Sequence, residues 1–221
     1  MLWDKSEFPF DNKYVEDVLN WTLPGCQLLY RDTDFPFDAA SLYEKLTLFR
    51  AGFFIDCSAK AGKLMKKPRF IIASAHSAPL WKAIPEDEDL QAWKLHVLHF
   101  NSIFKVMDIY KVGDKTQILL LHIPYKAIPL FIPETGIQFD FADSLPLNIV
   151  DIARKSFDAK MQMDPIPELE TEAWNERTFN LPGTCSEGVT TLDYVEDTPE
   201  VAALSQAIRK FAEDEDPINR P

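Results

Sequence analysis

The chain reads as a single α+β domain in which a mixed sheet, containing one βαβ unit and one antiparallel hairpin, is covered by helices. Three observations carry that reading. Short apolar runs rich in branched and aromatic residues, CQLLYR at 26–31, FFIDC at 53–57 and RFIIASAH at 69–76, are too short for helices and suit strands. Between the last two, SAKAGKLMKK is helix-compatible, so FFIDC and RFIIASAH are expected as neighbouring parallel strands joined by a crossover. FKVMDIYKV and TQILLLHI flank Gly113, Asp114 and Lys115, the pattern of a hairpin. With 221 residues, 46% of them hydrophobic, the chain can bury a core without a metal or disulfide staple.

Taken in order, the elements have local causes. Asp11 and Asp38 each follow FPF and are placed to accept from free N–H groups at helix starts. A helix with Tyr14, Val15, Val18 and Leu19 on one side is expected after Asp11. A second, carrying Leu42, Leu46 and Phe49, is expected after Asp38 and would stop at Gly52. Pro85 followed by four acids opens a helix expected over 86–101, where the dipole favours negative charge in the first turn and Leu90, Trp93, Val97 and Phe100 follow a three-four spacing. On it, His96 and His99 would be neighbours. The stretch IPYKAIPLFIPETG reads as a packed loop, IQFDF as an edge strand, and LPLNIVDIARKSFDAKM as a long amphipathic helix capped by Asp143 or Ser144. A last helix begins with Thr198 and Pro199 and carries Val201, Leu204, Ile208 and Phe211 in a stripe.

Charge divides the chain. Residues 164–221 hold 14 acidic and 4 basic residues, whereas 1–163 are nearly neutral. The expected organisation is a body over 1–163 and an acidic, mainly helical extension over 164–221 packed on the same domain, frayed over 213–221. A net charge of −12 argues against a nucleic-acid partner, whose phosphates are bound by Lys and Arg. No window approaches eighteen uncharged apolar residues, and the N-terminus lacks a basic and then apolar leader pattern, so neither a membrane span nor a secretory signal is expected. Cys26, Cys57 and Cys185 form no CxxC pair or zinc spacing and suit reduced thiols in a cytoplasm.

Candidate chemistry gathers at the expected strand ends. Adjacent parallel strands would bring Cys57 and His76 to the C-terminal edge, where open α/β sheets collect ligands, and His122 ends a third apolar strand. Lys60 and Lys63, in the first turns after Cys57, would lower its pKa, and a histidine would serve as base. The C-x5-K spacing of Cys57 and Lys63 resembles, over seven residues, the C-x5-R phosphate loop of cysteine phosphatases. Lysine replaces the arginine fork and Asp56 the preceding histidine, so membership is not assigned. Cys57, His76 and His122, with His96 or His99, would also supply enough N and S ligands for zinc, although no spacing motif marks a metal site and the sequence does not identify a cofactor. G-x-S-x-G, G-x-G-x-x-G, P-loop and HExxH patterns are absent.

Two functional expectations follow. The first is a non-enzymatic, cytoplasmic interaction protein of inhibitor or immunity type, whose acidic surface matches a basic protein partner. The alternative is a hydrolase or transferase working through Cys57, His76 and His122 or through a His/Cys zinc centre, with Lys60, Lys63, His96 and His99 in supporting roles.

Overall fold

The structure is a computed structural model, and it describes residues 26–35, 39–45, 48–123, 127, 149–183, 196 and 198–212, without the side chains at 209, 210 and 212. The helix expected after Asp11, the caps Asp11, Asp38, Asp143 and Ser144, most of the proline-rich loop, the IQFDF strand, Cys185 and the 213–221 tail lie outside the described residues.

Among the described residues, seven strands form one mixed sheet: β1 (Gln27–Asp32), β2 (Leu48–Arg50), β3 (Ile55–Ser58), β4 (Arg69–Ser74), β5 (Leu95–Leu98), β6 (Ile103–Val112) and β7 (Lys115–Ile123). Their order is β2-β6-β7-β4-β1-β3-β5. Five helices accompany them: α1 (Leu80–Ala83), α2 (Glu88–Trp93), α3 (Ile149–Lys160), α4 (Glu172–Thr178) and α5 (Pro199–Ala212). The α+β class, the mixed sheet and the β6/β7 hairpin are as the sequence predicts. The parallel pair is not the expected one. β4 pairs in parallel with β7, while β3 and β4 run in the same direction with β1 between them, antiparallel to both.

Residues 59–68 also form no helix. Their basic side chains serve other contacts: Lys60 donates to Ala92 O at 2.7 Å, Lys66 to Leu169 O at 3.0 Å, and Lys67 pairs with Asp114 at 2.7 Å. Gly62 packs so closely on the chain at 164–166 that a Cβ there would stand 2.4 Å from Asp164 O. A helical course would forfeit these contacts.

Two further expectations fail for one reason, which is that long-range strand pairing outweighs local periodicity. The helix expected over 86–101 ends at Trp93, capped at its start by Asp87, whose carboxylate accepts from Leu90 N at 3.0 Å. Lys94 turns left-handed at φ 48, and Leu95–Leu98 become β5, paired with β3. All four β5 residues are buried, so an apolar run with no alternation hid the strand. After Asp38, the described residues form a single 3-10 turn over Ala39–Leu42, and Phe49 lies in β2 opposite Phe104, their rings stacked at 5.6 Å.

The sheet buries both faces. Leu29, Phe70, Ile72, Ile118 and Leu120 point to one side and pack with Phe49, Phe104 and Tyr43. On the other side Tyr30, Ile71 and Leu119 meet Ala153 of α3. Each of these larger apolar side chains contributes about 1.5–3 kcal/mol by leaving water. A third cluster joins Leu90, Trp93, Leu95 and Val97 to Leu169, Trp174 of α4 and Ile208 of α5.

Buried charges tie these layers. Arg69 is fully buried, holds Asp32 through Nε at 2.7 Å and Nη2 at 2.6 Å, and donates to Gly62 O at 2.9 Å. Arg31, 1% exposed, donates to the carbonyls of Asp56, Arg177 and Asn180, clamping the chain after α4 over β1. Asp108, just past a bulge in β6, accepts from Lys45 and both arms of Arg154 on α3.

Gly183 has φ +74, and a Cβ there would fall 1.9 Å from the Phe49 ring, whereas Gly113 has φ +59 with open space around it. Gly113→Ala is expected to cost about 1 kcal/mol from backbone conformation alone. Gly183→Ala should cost roughly 1–3 kcal/mol more from overpacking. Urea denaturation of the two variants checks the difference, and equal midpoints would contradict this packing of Gly183 on Phe49.

Candidate functional site

The parallel pair determines what stands together at its C-terminal end. Ala73 is in register with Leu121, so Ser74, the last residue of β4, stands beside His122, the last but one of β7. Ser74 Oγ lies 2.8 Å from His122 Nδ1, and the same oxygen accepts the backbone N–H of His76 at 3.1 Å. With a lone pair of Ser74 occupied by His76, its own hydroxyl proton can go to Nδ1, leaving the ring proton of neutral His122 on Nε2.

His122 is 7% exposed, and its ring packs on Phe104 at 5.3 Å. Burial, with the nearby charges of His76 and His99 adding to it, lowers its pKa to about 3. His76, His99 and His122 thus share one neighbourhood. His99 also lies 6.1 Å, ring to ring, from Phe54, which stands 5.9 Å from Phe100.

After Ser74 the chain crosses to the edge strand, where Ala78 and Val97 exchange hydrogen bonds of 2.9 Å each way. Ser77 Oγ on this strap lies 2.9 Å from Nδ1 of His96, and Gln27 Nε2 donates to the same oxygen at 3.1 Å. Trp81 Nε1 donates to His96 Nε2 at 3.1 Å. Burial, with Lys82 adding to it, lowers the pKa of His96 to about 4.

Of the residues singled out in the sequence, His76 and His122 do converge. Cys57 does not join them. It is fully buried in the core, its thiol faces Ile55 O at 3.9 Å, and its register partner on β5 is His96. Burial pushes the thiol pKa well up, and the charges acting on it are Arg31 and Asp56, with no histidine among them. A thiol so placed is not a nucleophile. Lys60 and Lys63 do not lower it: Lys60 reaches Ala92 O, and exposed Lys63 donates its backbone N–H to Asp164 O. His96 and His99 are not a helical pair, since His96 lies in β5 and His99 just past it. Among the described residues no group of three or more His, Cys, Asp and Glu side chains is disposed to hold a metal ion. None of their helices is long and apolar enough to cross a membrane.

Ser74 and Ser77 were missed in the sequence. The signal was present in ASAHS, a strand end with serines flanking a histidine, but serine is common at strand ends and does not by itself mark a site.

No protein-family model and no curated protein sequence matches the chain. Among solved structures it is similar to the type III effector XopAI of Xanthomonas axonopodis pv. citri, with 12% identity, a TM-score of 0.36, and 48% of this chain and 46% of that chain covered. It is similar also to the ADP-ribosyltransferase HopU1 of Pseudomonas syringae pv. tomato, with 14% identity, a TM-score of 0.37, and 44% and 45% covered. For exoenzyme S of Pseudomonas aeruginosa, described bound to Carba-NAD, the values are 12%, 0.38, 57% and 60%. The chain spans about half the length of XopAI and HopU1.

Several of these neighbours are described as ADP-ribosyltransferases, and none of those is a non-enzymatic interaction protein. This corrects the first functional expectation, that of an acidic inhibitor or immunity protein built for protein–protein interaction.

Two predictions follow from the histidine geometry. Cys57 should resist iodoacetamide at pH 8 in the folded protein and react only on unfolding, as mass spectrometry of the labelled peptide would read; rapid labelling of native protein would contradict its burial. For His96 and His122 the folded pKa values, about 4 and about 3, lie below the unfolded value. Their stabilising contribution is therefore complete above pH ~6.5 and is lost as pH falls toward those values, by up to about 1.4 kcal/mol per pH unit for each. Urea midpoints between pH 7 and 4.5 should fall less steeply in His122→Gln than in the parent chain, and identical slopes would count against a buried neutral His122.

Proposed function

We propose that the protein is a histidine-dependent group-transfer enzyme, a transferase or hydrolase, whose centre is His122 at the C-terminal ends of β4 and β7. The observation that carries this reading is the 2.8 Å pairing of Ser74 Oγ with His122 Nδ1 beside His76 and His99. Ser74 acts as a positioning residue. It is fully buried, too enclosed to attack a substrate itself, and its hydroxyl holds the ring in one orientation and one tautomer.

A buried imidazole with a pKa near 3 is a poor base at neutral pH but a good fixed donor. Its Nε2–H, held in a site of low dielectric, stabilises negative charge that develops on a departing or attacked oxygen, without reorganisation at the moment of reaction. His76 and His99 are the neighbouring imidazoles whose charges act on His122. The aromatic rings of Phe54, Phe100 and Phe104 around the imidazoles exclude water and strengthen each of these hydrogen bonds.

The test is turnover of group-transfer donors. NAD+ is assayed first, followed by acyl thioesters and phosphate esters, each with and without a nucleophilic acceptor. His122→Ala, verified as folded by near-UV circular dichroism, should lower turnover by about 100-fold or more, the usual loss when one oxyanion donor is removed. Wild-type turnover in that variant, or consumption of no donor in the panel by the parent chain, would overturn the reading.

A further inference from the structure

We infer that His96 is a positioning residue for the His122 centre, acting through the strap that runs from Ser74 to Ala78. The inference rests on the proposed role of His122 and extends the site across the sheet to β5.

The strap is the only direct covalent link between Ser74 and the residues that flank His76 on its far side. It leaves β4 at Ser74 and is joined to β5 by the paired hydrogen bonds of Ala78 and Val97. Between these anchors it carries two serine–histidine contacts, Ser74 with His122 on β7 and Ser77 with His96 on β5. His76 lies between the two serines, and its backbone N–H is the group that orients Ser74. Any displacement of Ser77 is therefore transmitted to His76 N–H and to the hydroxyl that holds His122.

The protons in the second contact can be assigned. An indole N–H is donor only, so Trp81 Nε1 at 3.1 Å makes His96 Nε2 an acceptor, without a proton. The proton of neutral His96 then sits on Nδ1 and is donated to Ser77 Oγ at 2.9 Å. Gln27 Nε2 lies 3.5 Å from the same Nδ1, too far for a good bond and with a donor facing a donor, and its partner is Ser77 Oγ at 3.1 Å. Ser77 thus accepts twice, while Ser74 accepts from His76 and, in the His122 tautomer of the proposed function, gives its proton to His122. The two serines have opposite roles.

Trp81 is itself held. Lys94 Nζ lies 4.0 Å from its ring centroid, and the Gln91 side chain donates to its carbonyl. With His96 3% exposed and Ser77 2% exposed, the chain Trp81, His96, Ser77 is a buried support whose geometry is determined by directional bonds at every step.

The experiment uses the full chain labelled with ¹⁵N-histidine. In the parent protein His96 should show a protonated Nδ1 and a bare Nε2. Trp81→Phe removes the donor that imposes this tautomer, and Ser77→Ala removes the acceptor. Both should shift the ring ¹⁵N resonances of His122 and lower kcat on the donor the parent protein turns over by about tenfold, with KM little changed, because orientation at the centre is disturbed and not binding. Ser77→Thr, which keeps the hydroxyl, should restore both readouts. A His96 found with Nε2 protonated overturns the inference whatever the activity. So does a changed His96 with unchanged His122 resonances and kcat. Undiminished turnover in His122→Ala would instead overturn the proposed function, leaving the His96 tautomer and its effect on the His122 resonances as separate results.

Discussion

The parallel register of β4 against β7 is the constraint on which the rest of the molecule depends. Five consecutive pairs, from Arg69 with Gln117 to Ala73 with Leu121, run through the middle of the sheet and are buried on both faces. Parallel strands cannot be joined by a tight turn, so the chain between them makes a long excursion through the strap, α1, α2, β5 and β6. That excursion brings His96 and His99 back to the end of the sheet where β4 and β7 stop. A one-residue slip would send Phe70 and Ile72 to the α3 face and part Ser74 from His122.

The two ends of this pair differ in character. At the N-terminal end Arg69 is locked to Asp32 and Gly62, covered by Phe157 of α3, and closed over by the packing of Gly62 on Asp164. Removing one partner of such a buried pair costs about 3–5 kcal/mol, which marks that end as structural. At the C-terminal end stand the imidazole of His122, held neutral by burial, and the buried hydroxyl of Ser74, neither of which carries a buried charge.

Much of this was legible in the sequence where the cause was local. The hairpin at Gly113, the amphipathic face of α3 and the start of α5 at Pro199 are each specified by a few neighbouring residues. The positions of His76, just past β4, and of His122, near the end of β7, were also legible from the apolar runs that precede them. What stayed hidden depended on residues far apart in the chain. The Leu95–Leu98 run is buried on all sides and has the same pattern as a buried helix, so His96 was assigned to the wrong element. Insertion of β1 between β3 and β4 has no local signature, and it is what separates Cys57 from the strand ends that carry His76 and His122. Ser74 was passed over because a serine gains its meaning here only from the imidazole 2.8 Å away on a strand 48 residues later.

The most direct measurement of the central claim is the side-chain ¹⁵N titration of His122 followed from pH 8 to pH 4. The account predicts a ring that remains neutral throughout, with the proton on Nε2 and Nδ1 accepting from Ser74. A ring that titrates near pH 6.5, or that carries its proton on Nδ1, would contradict it.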